Sequence, residues 1–171
     1  MLLGVTGCLG GYPVRPEVAP TPTFDPVQFF SGHTVGEGTL DVRFASKRSL
    51  RVESTGATQA DGQFRLDQTI TFDDGKIEKR TWLLRRVDDT HYSASLSDAK
   101  GEVIAESSGN RFHLRYLLRQ PAVYVDQSLY LQPDGHSVLN QLQVSVLGVP
   151  WARLSETIRR VDVRSREAGR A

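Results

Sequence analysis

Residues 63–73 read QFRLDQTITFD, and from Phe64 to Phe72 every second side chain is apolar except that of Gln68. A period of two puts alternate side chains on opposite faces of an extended chain, so this stretch predicts a strand with one buried face. The same alternation recurs along the rest of the chain, at residues 40–44, 92–96, 112–118, 123–131 and 138–146. The period indicates an all-β protein.

Turn signals separate these stretches, and they are of the Asp-Gly, Gly-Asn and Pro-Asp-Gly kinds that join antiparallel neighbours through tight hairpins. The runs between the turns predict about ten strands, at residues 34–44, 48–57, 62–73, 76–87, 90–98, 102–108, 110–119, 122–132, 137–147 and 150–163. No run is typical of a long helix. Asp25 can cap a short helical turn that begins at Pro26.

A row of about ten antiparallel strands has to satisfy the backbone groups of its two outer strands. Closure into an up-and-down barrel does so, and we predict that architecture, with a sandwich of two sheets left open as the alternative. A barrel of this size commonly leaves room for one small molecule.

Composition excludes several classes of protein. The chain has 171 residues and a mass of 19.0 kDa, which is room for one domain with appendages. With 21 Lys and Arg against 20 Asp and Glu, and no block of like charge, we expect no nucleic-acid partner. A hydrophobic share of 39% and a charged share of 24% suit a soluble globular domain. The single cysteine excludes an intrachain disulfide.

That cysteine ends a segment similar to a bacterial lipobox, Val5-Thr6-Gly7-Cys8. Only seven residues precede Cys8 and none is basic, so we expect a truncated lipoprotein signal at 1–8, and the alternative is an inert thiol in an N-terminal tail. Acylation of Cys8 would give the protein a membrane anchor. Leu9 is compatible with sorting to the periplasmic face of the outer membrane.

Five of the eight prolines lie between Gly10 and Pro26, which predicts an extended tether. The expected organisation is a Pro-rich tether over 9–28, a barrel domain over 29–163 and a polar tail over 164–171.

Several short pieces, in this order and spacing, resemble the proteobacterial lipoprotein family of the lipocalin-like domain of unknown function 3833. They are Phe29-Phe30-Ser31-Gly32, Glu37-Gly38, Phe72-Asp73-Asp74-Gly75, Arg80-Thr81-Trp82, Asp98-Ala99-Lys100-Gly101-Glu102, Gly109-Asn110 with Tyr116, and Val138-Leu139-Asn140. The family has an acidic residue at the position of Gln68 and an Asp-Asp-Trp-Met run at 126–129, where this chain reads Asp-Gln-Ser-Leu. The resemblance implies a lipocalin-like barrel in the cell envelope and no particular activity.

Strand parity predicts which polar side chains share the interior with the apolar ones. Arg80 is on the same face as Trp82 and Leu84, and a buried guanidinium needs a partner. The candidate ligand-binding residues are Gln68, Arg80, Trp82, Asn110, Tyr116 and Asn140. They suit the carboxylate or phosphate head of an apolar or amphipathic small molecule. Its tail would lie along Phe64, Phe72, Leu114 and Val144.

A purely structural interpretation of these residues stays open. Asn110 could cap backbone groups at a turn, and Arg80 could pair at the barrel rim with Glu78, Asp98 or Glu102. We expect the two tryptophans, Trp82 and Trp151, to be core residues first.

No catalytic residues, cofactor or metal site is expected. The four histidines lie in separate segments, at His33, His91, His113 and His136, and no serine stands in a nucleophile elbow. Two other functions stay open: an enzyme on a lipid-like substrate, with Asp98, Glu102 or Tyr116 as acid or base, and a structural envelope protein that binds another protein.

Interior geometry discriminates among these functions. A cavity of about 300 Å³ or more favours a binding protein or an enzyme, and a filled core favours a structural protein. An inward carboxyl group with a raised pKa beside the cavity would favour an enzyme.

Overall fold

The computed structural model describes residues 16–101 and 103–161, over which one short helix is followed by ten strands. The elements are α1 (Pro26–Phe30), β1 (Gly32–Val42), β2 (Arg48–Thr58), β3 (Phe64–Phe72), β4 (Ile77–Arg86), β5 (His91–Leu96), β6 (Val103–Ser108), β7 (Arg111–Arg119), β8 (Val123–Leu131), β9 (Ser137–Val146) and β10 (Val149–Val161). All ten predicted strands are present at nearly the predicted positions.

The strands form a closed antiparallel barrel. Each strand pairs with its neighbours in sequence, and β10 returns to pair with β1 from His33 opposite Val161 to Val42 opposite Ala152. No strand in the described barrel is left with an unpaired edge. The predicted fold class, an all-β up-and-down barrel of about ten antiparallel strands, is therefore confirmed, and the sandwich is excluded.

The interior follows the period of two. In β3 the side chains of Phe64, Leu66, Ile70 and Phe72 are buried, and their neighbours Arg65, Asp67 and Thr71 are exposed. Trp82 is a core residue, as expected. Trp151 is not: it is 41% exposed, because Ala152 and not Trp151 has the inward parity of β10.

Helix α1 closes one end of the barrel. Asp25 Oδ1 accepts hydrogen bonds from the backbone N–H groups of Val27 and Gln28, and Pro26 occupies the first turn, as the sequence predicts. Phe29 and Phe30 point into the barrel and are buried. We call this the plugged end.

The segment before α1 corrects the predicted tether. Phe24 is only 2% exposed, and its backbone N–H donates to Gly109 O at 2.8 Å. Further upstream, Ala19 O accepts a hydrogen bond from Asn110 N at 2.8 Å. The chain from Ala19 to Gln28 therefore belongs to the folded domain. Its prolines exclude regular secondary structure, but the buried Phe24 ring and the backbone hydrogen bonds of Ala19 and Phe24 hold it against the plugged end.

Residues 9–15 of the predicted tether lie outside the described residues, together with Cys8, Glu102 and the polar tail at 164–171. Within the described part of the chain, no helix is both long and apolar enough to span a bilayer.

The opposite end carries the loops that follow β1, β3, β5, β7 and β9. No helix covers it in the described structure. Here several inward-facing side chains are only half-buried, namely Leu40, Leu118, Leu142, Val144 and Leu154. We call this the open end.

Candidate ligand-binding site

An apolar cavity of about 220 Å³ runs along the barrel axis. It begins below Phe30 at the plugged end and reaches Leu118 and Val144 at the open end. An apolar cavity of about 150 Å³ is enough to hold benzene, so this space accepts a somewhat larger group. It is smaller than the roughly 300 Å³ expected for a complete ligand pocket, but the core is not filled.

The cavity wall contains most of the residues that the sequence singled out. The four proposed tail contacts, Phe64, Phe72, Leu114 and Val144, all line it. Five of the six candidate polar or aromatic residues line it as well: Gln68, Arg80, Trp82, Tyr116 and Asn140.

Asn110 lies elsewhere. It sits in the turn before β7 at the plugged end, where its Oδ1 accepts from Ala19 N at 2.9 Å and its Nδ2 donates to Leu131 O at 3.1 Å. All of these contacts are to the backbone, and the residue does not line the cavity. The expectation that Asn110 faces a ligand is corrected, because its side-chain amide is engaged by backbone groups of the N-terminal segment and of β8 at the plugged end.

Trp82 and Gln68 form a hydrogen bond inside the barrel. Trp82 Nε1 donates to Gln68 Oε1 at 2.9 Å, and Gln68 Nε2 donates to Ser54 Oγ at 3.2 Å. The Trp82 ring also meets the Tyr116 ring edge-on, with centroids 5.8 Å apart. These contacts satisfy the indole N–H and hold both rings against the cavity.

Arg80 is inward-facing but paired. Its Nη2 lies 2.9 Å from Asp98 Oδ2, and the two side chains are 21% and 39% exposed. This is one of the rim pairings left open by the sequence. Asp98 already offsets the guanidinium charge, so Arg80 is a weaker site for an anionic head group than an unpaired arginine would be.

A carboxyl group that the sequence reasoning missed lies on the opposite wall. Glu156 is 4% exposed, and its Oε2 accepts from Asn140 Nδ2 at 2.8 Å. Asn140 Oδ1 in turn accepts from Gln127 Nε2 at 3.0 Å. The three side chains come from β10, β9 and β8 and line the cavity. We call Gln127, Asn140 and Glu156 the polar row.

Burial raises the pKa of Glu156, and the hydrogen bond from Asn140 and the charge of Arg80 only partly oppose this. The signal that could have found the residue is its parity, because Glu156 alternates with Leu154 and Ile158. A second signal is the pair of glycines on β1, Gly36 and Gly38. They leave space for the Glu156 side chain, and Gly38 lies directly opposite Glu156 in the strand pair.

Tyr116 is 2% exposed, and burial raises its pKa to about 12. Its hydroxyl group therefore stays protonated at neutral pH. It can take part in hydrogen bonds with a ligand but is poorly suited to act as a general base.

The histidines do not converge. His113 lies 3.3 Å from Asp126, and His91 lies 3.0 Å from Asp88 in an exposed turn. Nowhere in residues 16–101 and 103–161 do three His, Cys, Asp or Glu side chains come together as a metal site.

The sequence matches the model of one protein family over residues 2–160: "Protein of unknown function (DUF3833)". The chain belongs to the DUF3833 family. No curated protein is similar enough to count as a relative of this DUF3833 member.

Several solved structures share the fold of this DUF3833 protein. The S-type phycobiliprotein lyase CPES from Guillardia theta superposes with a TM-score of 0.64 at 7% identity, over 80% of this chain and 90% of that one. Rv2717c from M. tuberculosis superposes with a TM-score of 0.59 at 17% identity, over 81% of this chain and 99% of that one. A DUF3598 protein of unknown function from Nostoc punctiforme gives 0.60 at 13% identity, over 82% of this chain and 50% of that one. At these identities the similarity establishes the fold alone.

Proposed function

We propose that the protein binds an apolar or amphipathic small molecule inside its barrel. The observation that carries this proposal is the apolar cavity of about 220 Å³, which ends among half-buried side chains at the open end. A volume of this size suits a compact ligand, or the terminal part of a longer chain whose remainder lies in the mouth. The fold shared with the phycobiliprotein lyase is compatible with the proposal.

The polar row changes the expected chemistry of the ligand. A carboxylate or phosphate head would meet Glu156 inside the barrel, while Arg80 is already paired with Asp98. Two acidic groups that share this buried space cannot both ionise without a large cost in free energy, so one of them would have to stay protonated. An uncharged group such as a hydroxyl can both donate a hydrogen bond to an acceptor and accept one from a donor. The proposed ligand is therefore a neutral amphiphile.

A mouth-blocking variant tests binding inside the barrel. Val144 faces inward near the open end, and the next residue, Ser145, faces outward on the same strand. Val144→Trp should weaken the binding of a fluorescent apolar probe by about tenfold or more, and Ser145→Trp should leave the affinity unchanged. Binding that is unaffected by Val144→Trp, or no binding of the probe to the wild-type protein, would contradict the proposal.

Competition against the bound probe tests the head group. Dodecanol and dodecanoate have the same chain length and differ in charge. We expect dodecanol to displace the probe at a lower concentration than dodecanoate. In Glu156→Gln, the displacing concentrations of the two compounds should be closer to each other. Stronger displacement by dodecanoate would reinstate the anionic ligand and leave interior binding intact.

The cellular location is part of the same proposal. The lipobox-like segment ending at Cys8 and the resemblance to proteobacterial lipoproteins support a lipid-anchored protein on the periplasmic face of the outer membrane. When the chain is expressed behind a complete leader, Cys8→Ser should move it from the membrane fraction to the soluble periplasm. An unchanged membrane fraction would count against acylation.

One observation favours an enzyme as the second candidate. Glu156 is an inward carboxyl group with a raised pKa beside the cavity. Acid chemistry would fall to Glu156, because Asp98 is paired with Arg80 and the pKa of Tyr116 is about 12. Incubation with a total lipid extract of the host, followed by mass spectrometry, tests this: an enzyme yields a product with the wild-type protein that is absent with Glu156→Gln.

A further inference from the structure

Exposed apolar side chains are concentrated at the open end. Of the nine large hydrophobic side chains that are exposed in the described residues, six lie on the loops or strand ends there: Phe44, Ile77, Tyr124, Leu147, Val149 and Trp151. Val18 and Val87 lie at the plugged end, and Ile104 lines the same outer surface as Val87. Scattered exposure is normal in soluble proteins, but a concentration at one end indicates a contact surface.

Two neighbouring hairpins supply the most exposed members of this group. Phe44, in the loop after β1, is 88% exposed, and Leu147, in the loop after β9, is 73% exposed. Strand β10 pairs with both β1 and β9, so the two loops are close together. The Trp151 ring, at the start of β10, packs edge-on against the Phe44 ring, with the centroids 6.2 Å apart. We call Phe44, Leu147 and Trp151 the apolar tip.

Two residues of the tip adopt a backbone conformation that is unfavourable for large side chains. Phe44 has φ 63° and Leu147 has φ 49°, and they are the only non-glycine residues with positive φ in the described chain. This left-handed conformation favours Gly or Asn and is unfavourable for bulky side chains. Strained residues of this kind cluster at functional positions. Both strained positions here carry a large, exposed apolar residue.

The two sequence segments that form the tip carry cations and no acid of their own. Residues 43–48 read RFASKR and residues 147–153 read LGVPWAR, which gives four cations and no acid in the two segments. The Arg43 guanidinium lies 4.9 Å from the centroid of the Phe44 ring. Lys47 and Arg48 also have acidic neighbours, Asp41 and Asp74, so the excess of positive charge is moderate.

We propose that the apolar tip docks on a lipid bilayer that carries anionic head groups. Aromatic and aliphatic side chains flanked by cations are the combination that binds at a membrane interface, where apolar groups enter the acyl boundary and cations pair with anionic lipids. Docking in this orientation brings the cavity mouth to the membrane surface. This contact is separate from any acyl anchor on Cys8. The N-terminal segment joins the barrel at the plugged end, through Ala19 and Phe24, whereas the apolar tip lies at the open end.

Vesicle binding of the full chain with Cys8→Ser tests the proposal without an acyl anchor. We expect co-sedimentation with vesicles of phosphatidylcholine and phosphatidylglycerol, and weaker binding to phosphatidylcholine alone or at high salt. On binding, the emission of exposed Trp151 should shift to the blue and be quenched by brominated lipid. Trp82 is buried and should contribute little to the change.

The decisive variant replaces Phe44 and Leu147 with Asn. Asparagine tolerates the left-handed conformation, so the fold should keep its stability while the apolar contact is lost. We expect about a tenfold or larger fall in vesicle partitioning. The matched control is Val87→Asn, which removes a 67% exposed apolar residue at the plugged end and should bind vesicles as the wild-type protein does.

Three results would overturn the proposal: no binding to anionic vesicles, equal losses in the double variant and in Val87→Asn, or tip-dependent binding to an acidic protein without binding to vesicles. These measurements use no interior probe. Failure of membrane docking is therefore distinguishable from failure of the proposed ligand binding.

Discussion

Glu156 of β10 extends into the space that Gly36 of β1 leaves open. A Cβ atom at Gly36 would overlap the Glu156 carboxyl group, and one at Gly38 would lie 2.8 Å from Glu156 Cβ. The closing pair of strands therefore accommodates a buried acid only because its partner strand carries glycines at these positions.

Gly36→Ala should destabilise the barrel by about 1–3 kcal/mol, because the new methyl group displaces the Glu156 carboxyl group from its hydrogen bond with Asn140. Urea denaturation measures the change. In a Glu156→Ala background, Gly36→Ala should lower the free energy of unfolding by less, since no carboxyl group occupies the space of the new methyl group. An equal cost in both backgrounds would show that the two residues do not compete for this space.

Glu156→Gln should stabilise the protein more at neutral pH than at acidic pH. The pKa of Glu156 is raised in the folded state, so the unfolded chain releases the proton first as pH increases above the ordinary value of 4.5. The wild-type protein loses stability through that window, and the Gln variant does not. Thermal denaturation of both proteins from pH 4 to pH 8 gives the comparison, and a pH-independent difference in Tm would contradict the assignment.

Trp82→Phe should cost about 1–3 kcal/mol, because Gln68 Oε1 loses the indole N–H that it accepts at 2.9 Å inside the barrel. Trp151→Phe is the matched control, and its effect on the free energy of unfolding should stay within about 0.5 kcal/mol. The chain has two tryptophans, so each variant also isolates the emission of the other. We expect red-shifted emission from exposed Trp151 and blue-shifted emission from Trp82.

Phe24→Ala should destabilise the protein by about 3–5 kcal/mol, because Phe24 packs against Phe29, Phe30 and Phe112 at the plugged end. Val18→Ala, at a 38% exposed side chain in the same segment, should change stability by less than about 0.5 kcal/mol. Similar effects of the two substitutions would mean that the segment is a spacer after all.

The candidate site was only partly predictable. Parity along β3, β4, β7 and β9 correctly predicted that Gln68, Arg80, Tyr116 and Asn140 face inward. It failed for Asn110, because parity does not show that the N-terminal segment and Leu131 take up the side-chain amide with backbone groups at the plugged end.

The pairing partners could not be read from parity. Arg80 had three acidic candidates, and the choice of Asp98 depends on how the loop after β5 packs. The polar row likewise depends on the lateral register of β8, β9 and β10.

The amino-acid sequence by itself determined the strands, the hairpins and the face on which each strand is buried, because the direction of a side chain on a strand is a local property that alternates with every residue. The tertiary structure alone decided where β1 and β10 meet, which end is plugged by Phe24 and α1, and that Glu156 lies over Gly36 in a partly empty interior. These features depend on strand register and side-chain volume between residues far apart in the chain, and no local pattern encodes them.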